Sequence, residues 1–177
     1  MKTAIIMLTL LSLMIMACQP EQQRTATPIP AVVKTKKLTG LNSDQLNAVY
    51  QQYQLLTNAL TAGNVTGAKV AALAIETGAK QIKDAGALTT AARQMTTAVD
   101  IKAQRAIYAH LNEAFIPLIK QSGISDGELY VAHCPMALND KGAFWLSEGK
   151  DIKNPYFGEE MLTCGTVKET IKPAHGE

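Results

Sequence analysis

Hydrophobic positions recur every three or four residues between residues 46 and 118. This spacing places apolar side chains on one face of a helix. Asn42 and Ser43 are cap residues before the first run, Gly63 stops it, Asn64 caps the second, and Gly123 follows the fourth. Four amphipathic helices with short connections predict an up-down bundle over residues 40–123. The repeating positions are Leu46, Val49, Tyr50, Tyr53, Leu56 and Leu60, then Val65, Ala68, Ala72, Ile75, Ala79 and Ile82, then Leu88, Ala91, Ala92, Met95 and Val99, then Ala103, Ile107, Tyr108, Leu111, Phe115 and Leu118.

The pattern changes after Gly127. Residues 129–131 are Leu-Tyr-Val, which is typical of a short strand. The rest of the segment over residues 124–167 is interrupted by turn-forming residues at Pro135, Gly142 and Gly158. We therefore expect a mainly α fold, with an irregular, strand-poor C-terminal segment of the same domain packed on the bundle. The tail over residues 168–177 is expected to fray.

The first 17 residues have the pattern of a secretory signal: a basic start at Lys2, an apolar run, and no acidic residue. The run is too short to remain as a membrane span. It ends at Cys18 in a sequence that resembles a bacterial lipoprotein processing site, which predicts lipidation of Cys18; the alternative is an ordinary cleaved signal beside an unrelated cysteine. In a Gram-negative host, Gln19 at the next position favours the periplasmic face of the outer membrane.

Residues 18–39 are rich in Gln, Thr, Pro and Lys and lack apolar periodicity, so they predict a flexible tether between the lipid and the domain. The chain of 177 residues is 47% hydrophobic, enough for one core. Its net charge of +2 gives no reason to expect nucleic acid as a partner.

Residues 130–165 gather an unusual number of sulfur atoms. Cys134 and Cys164 offer thiolates, Met136 and Met161 offer thioethers, and His133 adds an imidazole. Soft sulfur ligands select copper(I) or silver, and mixed sulfur and imidazole ligands also suit zinc. The alternative from the same residues is a disulfide between Cys134 and Cys164. If the strand continues through His133, alternation places His133 and Cys134 on opposite faces of the sheet.

The same segment carries a recognisable combination of short motifs. They are His133-Cys134-Pro135-Met136, Gly142 to Trp145-Leu146, Asn154-Pro155-Tyr156, Gly158, and Met161-Leu162-Thr163-Cys164-Gly165. Together they resemble an uncharacterised bacterial extracytoplasmic domain that occurs in lipoproteins and fused to periplasmic adaptors of copper and silver efflux pumps. The resemblance covers residues 46–167 and implies heavy-metal handling, with a metal-efflux adaptor or a metallochaperone as partner.

Motifs for catalysis are missing from the sequence, which has no nucleophile elbow, Gly-rich phosphate loop or two-residue cysteine redox motif. We therefore expect no enzymatic activity. The leading hypothesis is a lipid-anchored extracytoplasmic protein that binds copper(I) or silver and buffers it or passes it to an efflux system. The alternative is a metal-free, disulfide-stabilised interaction module of the cell envelope.

Overall fold

All four predicted helices are present in the computed structural model, which describes residues 39–174. Helix α1 spans Asp44–Thr61, α2 spans Val65–Ala79, α3 spans Gly86–Thr97 and α4 spans Ile101–Ser122. The predicted caps form, because the Ser43 side chain accepts the N–H of Leu46 and the Asn64 side chain accepts the N–H of Gly67. The mainly α fold is therefore confirmed.

The helices pack in chain order, each against the next, around a core of aliphatic, alanine and aromatic side chains. Leu56, Ile75 and Leu88 are fully buried. Gly78 sets the close approach of α1 and α2, since a Cβ atom there would lie 2.7 Å from Cγ2 of Val49. Helix α4 continues past Pro117 to Ser122 and ends at Gly123, whose φ of +71° suits glycine.

The C-terminal segment contains more strand than the sequence predicted. A short pair joins β1 (Gly40–Leu41) to β2 (Ile124–Asp126). An antiparallel sheet follows, with β3 (Leu129–Cys134) between β4 (Ala143–Ser147) and β5 (Thr166–Ile171). One helical turn, Ala137–Asp140, and one 3₁₀ helix, Gly158–Met161, lie in the connections.

Two predicted boundaries are corrected by the structure. Residues 168–171, expected to fray, belong to β5, and Glu169, Thr170 and Ile171 pair with β3. The alternation of apolar and polar side chains in β5 is interrupted, because the register with β3 shifts opposite Val131 and Ala132. The charged residues Lys168 and Glu169 are also typical of solvent-exposed chain. Thr39, expected at the end of the tether, is buried and donates a hydrogen bond to the carbonyl oxygen of Glu128.

Within residues 39–174, the helices are too short or too polar to span a membrane. The predicted signal, the lipidation residue Cys18 and nearly all of the tether lie outside the described residues.

Candidate functional site

Cys134 and Cys164 lie side by side at one end of the sheet. Cys134 is the last residue of β3 and is fully buried, whereas Cys164 is partly exposed in the turn before β5. Asn154 fixes that turn, because its side-chain amide donates to the Cys164 carbonyl oxygen at 2.7 Å. The next residue must be glycine: Gly165 has a φ of +138°, and a Cβ atom there would lie 2.8 Å from the Trp145 ring. The local backbone therefore holds the second thiol against the first.

The two Sγ atoms are 2.7 Å apart. This distance is closer to the S–S bond length of about 2.05 Å than to the separation of two metal ligands. Two thiolates on one tetrahedral ion with bonds of about 2.3 Å would lie roughly 3.8 Å apart, and thiolates on opposite sides of copper(I) would lie farther apart still. The arrangement suits a disulfide without rebuilding, and it suits a shared metal ion only if the sulfur atoms separate.

The Cys164 thiol of the reduced pair is held in its protonated form. The hydrogen bond with Cys134, followed by burial, raises the pKa of the Cys164 thiol to about 11. Reactive cysteines instead have a lowered pKa, because the thiolate is the nucleophile. At neutral pH the Cys164 thiol is therefore protonated in the reduced pair.

His133 lies on the opposite face of β3 from Cys134, as strand alternation predicted. Its ring packs on Phe144 at a centroid distance of 4.3 Å. His133 and Cys164 nevertheless line one shallow pocket of about 620 Å³, together with Lys168. Burial, followed by the charge of Lys168, lowers the pKa of His133, so the imidazole is neutral at pH 7.

The two methionines predicted as thioether ligands line a different cavity. Met136 and Met161 both face a groove of about 1430 Å³ between α4 and the C-terminal segment, and Met136 is 47% exposed. Cys164 does not line that groove. The five candidate residues are thus divided between the cysteine pair, the pocket beside it and the groove. Across residues 39–174, no three His, Cys, Asp or Glu side chains are grouped so that they could hold a metal ion.

A buried polar network, which the sequence analysis missed, attaches the segment to the bundle. The Tyr53 hydroxyl donates to Asn112 Oδ1 at 2.7 Å, and the Tyr108 hydroxyl donates to the Tyr53 hydroxyl at 2.7 Å. Asn112 Nδ2 in turn donates to the carbonyl oxygen of Tyr108 and to the hydroxyl of Tyr156. Asn112 thereby connects α1, α4 and the chain before β5.

Two hydroxyls of this network bind the backbone of β4 directly. The Leu146 N–H donates to the Tyr53 hydroxyl at 2.8 Å, and the Tyr156 hydroxyl donates to the Phe144 carbonyl oxygen at 2.6 Å. Burial raises the pKa of Tyr53 and of Tyr156 well above its usual value, so both stay neutral. One signal in the sequence could have revealed the network: Asn112 is a polar residue beside Leu111 on the buried face of α4.

Comparison with known families adds one finding. Residues 49–127 match a family described as "Protein of unknown function (DUF3347)". The match covers less than half of the chain and lies on the helices rather than on the cysteine and methionine motifs. No curated protein and no solved structure matches the chain.

Proposed function

We propose that this chain is a lipid-anchored extracytoplasmic interaction module whose C-terminal segment is closed by a disulfide between Cys134 and Cys164. The observation that carries the proposal is the 2.7 Å separation of the two Sγ atoms. An exported chain also meets the oxidising conditions under which disulfides persist.

Export and anchoring rest on the first 18 residues, and they are proposed from the sequence. The test is growth of the producing bacterium with an alkyne-tagged fatty acid, followed by fractionation of the envelope. We expect label on the full-length protein in the outer membrane and none on a Cys18→Ser variant. Equal labelling of the two proteins would contradict lipidation at Cys18.

A second candidate function is binding of copper(I) or silver, with zinc as a further possibility. One observation favours it: His133 is neutral and lines the same pocket as Cys164, with Cys134 in contact with Cys164. These three residues would be the ligands of a reduced site. The sulfur atoms would have to separate to roughly 3.8 Å, and each thiol would release its proton to the solvent as the ion binds.

The methionines fit this second candidate less well. Met136 and Met161, proposed as thioether ligands, line the groove beside α4, whereas Cys164 lines the pocket next to it. A reduced metal site would transfer its ion to an efflux adaptor or receive it from a metallochaperone. The disulfide form instead implies a protein partner in the envelope.

Both candidates are tested in one experiment on the protein from Gln19 onward, expressed with a cleaved export signal. One portion is treated with a thiol-blocking reagent at lysis, so that free thiols can be counted. A second, unblocked portion is kept anaerobic, and native mass spectrometry records its mass before and after exposure to copper(I), silver or zinc under chelator competition. We expect a mass two hydrogen atoms below that of the reduced chain, no blocked thiol, and no retained metal.

The control is the Cys134→Ser/Cys164→Ser double variant, treated identically. Two blocked thiols in the parent protein, together with one retained copper or silver ion that the double variant loses, would replace the disulfide proposal by the metal proposal. Metal retained equally by both proteins would exclude the cysteine pair as its site.

A further inference from the structure

The outer surface of the α1–α2 hairpin is unusually apolar for an exposed surface. Leu55 is 56% exposed, Val70 is 67% exposed and Leu73 is 57% exposed. These are three of the seven large apolar side chains that are exposed among the described residues, and they lie on two adjacent helices. We refer to the surface formed by Ala48, Gln52, Leu55, Val70, Leu73, Ala74 and Thr77 as the α1/α2 face. A contiguous exposed apolar patch of this kind indicates an interaction surface.

The α1/α2 face has a groove next to its ridge. A depression of about 450 Å³ lies between the two helices, with Ala48, Ala74 and Gly78 among its lining residues. Small side chains keep it open, and Gly78 cannot be enlarged without meeting Val49. Leu73 and Val70 stand at its border. Two surfaces of this form can pack together, each ridge entering the groove of the other, as packed helices do.

The lack of charge on the α1/α2 face indicates which kind of partner binds it. The residues lining the depression are all uncharged. Helix α1 has no charged residue after Asp44, and the charged residues of α2 are Lys69 and Glu76, the latter buried and paired with Lys80 at 2.8 Å. An uncharged surface gives no attraction to an anionic membrane or to nucleic acid. It does suit contact with itself, because a two-fold interface sets each patch against its own copy and like charges would repel.

The size of the face is adequate for such contact. Helices of 18 and 15 residues are about 27 and 22 Å long, and two of them side by side are roughly 20 Å wide. The whole hairpin thus has a projected area of about 500 Å², which is smaller than the roughly 800 Å² of accessible surface that each partner contributes to a standard interface, so the expected dimer is a weak one. We propose that the α1/α2 face binds the α1/α2 face of a second copy of this chain about a two-fold axis.

The test is sedimentation velocity of the protein from Gln19 onward, over concentrations from about 1 to 200 µM. We expect the sedimenting mass to double as concentration rises. The Val70→Lys/Leu73→Lys variant should lose this doubling while its circular dichroism and thermal unfolding stay unchanged. The matched control is Val99→Lys, at a position that is 84% exposed and away from the face; it should dimerise like the parent.

A charge-swap experiment tests the two-fold arrangement separately. Leu73→Lys chains and Leu73→Glu chains should each be monomeric, and an equal mixture should again show doubled mass. Parent protein that stays monomeric at every concentration, or a dimer that persists in the double lysine variant, overturns the proposal. Failure of the mixture to associate overturns the two-fold arrangement. This inference does not rest on the proposed function of the cysteine pair.

Discussion

Helices α1 to α4 hold together by burying aliphatic and alanine side chains against the next helix along the chain, whereas the C-terminal segment, whose Trp145 and Leu146 join the same core, also depends on buried polar connections. Hydroxyls of Tyr53 and Tyr156 and the amide of Asn112 connect that segment to the bundle, and the cysteine pair closes it on itself. Apolar packing tolerates small adjustments, while a buried polar group that loses its partner costs about 1–3 kcal/mol. The segment should therefore be more sensitive to single changes than the bundle.

Two optical signals can follow the unfolding of the helices and of the C-terminal segment separately. Trp145 is the only tryptophan of the chain and lies buried in β4, so its fluorescence reports on the C-terminal segment. Far-ultraviolet circular dichroism at 222 nm reports mainly on the helices. Coincident unfolding curves indicate one cooperative unit, and separated curves indicate that the segment detaches first.

The largest effect is expected from opening the cysteine pair. A crosslink between residues 30 positions apart is worth about 3–4 kcal/mol in the chain-entropy estimate. We predict that Cys134→Ser/Cys164→Ser lowers the free energy of unfolding by about that amount in urea, measured by Trp145 fluorescence. Reductant should lower the free energy of unfolding of the parent protein by the same amount as the double substitution does, and it should leave the double variant unchanged. A parent protein that is insensitive to reductant would mean that the pair is not a disulfide.

A smaller loss is expected when the polar connection is cut. Asn112→Leu removes the acceptor of the Tyr53 hydroxyl and two donated hydrogen bonds, which should cost about 2–3 kcal/mol. The tryptophan transition should then precede the helical one in urea. The matched control is His110→Ala on the same helix: its pair with Glu113 is exposed, so the change should stay within about 0.5 kcal/mol. Equal losses in the two variants would show that the network does not connect the regions.

A pair of glycine substitutions compares the regions directly. Gly158 has a φ of +63°, and a Cβ atom there would lie 2.6 Å from Arg105 Nη2 and from the Thr61 carbonyl oxygen. Gly158→Ala should therefore cost about 2 kcal/mol. Gly86 begins α3 with no atom within 4 Å of its Cβ position, so Gly86→Ala should be neutral or stabilise by up to about 1 kcal/mol. Thermal unfolding of both variants measures the difference; similar melting temperatures would contradict it.

The smallest effect concerns an exposed carboxylate of the segment. A hydrogen bond from the Tyr130 hydroxyl, with help from Lys172, lowers the pKa of Glu128 below its usual value. Because the folded-state pKa is the lower one, this contribution to stability is present above the unfolded-state pKa of about 4.3 and is lost as the pH falls through the folded-state value. Tyr130→Phe should shift the Glu128 titration midpoint upward in NMR, with little change in stability at pH 7. An unchanged midpoint would rule out the hydrogen bond as its cause.

The helices could be predicted because their signals are local. Periodicity located all four, and Ser43, Asn64 and Gly123 marked boundaries that the structure confirms. Their packing in chain order also follows from short connections. The sheet depends on pairing between distant residues: β5 joins β3 across more than 30 positions, and its register shift removes the alternation that identifies a strand.

The candidate site was predictable only in part. Proximity of Cys134 to Cys164 was expected under both the disulfide and the metal hypotheses, and the structure brings them together. Met136 and Met161 line the groove beside α4, and their role as thioether ligands stays a prediction. Trp145 is 1% exposed, whereas Phe144 next to it is 46% exposed, because adjacent strand residues face opposite sides.

The hydroxyl groups of Tyr53 and Tyr156 have a consequence for the sheet itself. They occupy an N–H and a carbonyl oxygen on the outer edge of β4, which would otherwise be free to pair with another strand. Within the described residues, β5 forms the other edge, and it carries Lys168 and Glu169. β5 is therefore the edge of this sheet through which another strand can add. If two such domains paired through β5, both ends of the joined sheet would be β4 strands, where the two tyrosine hydroxyls oppose further addition.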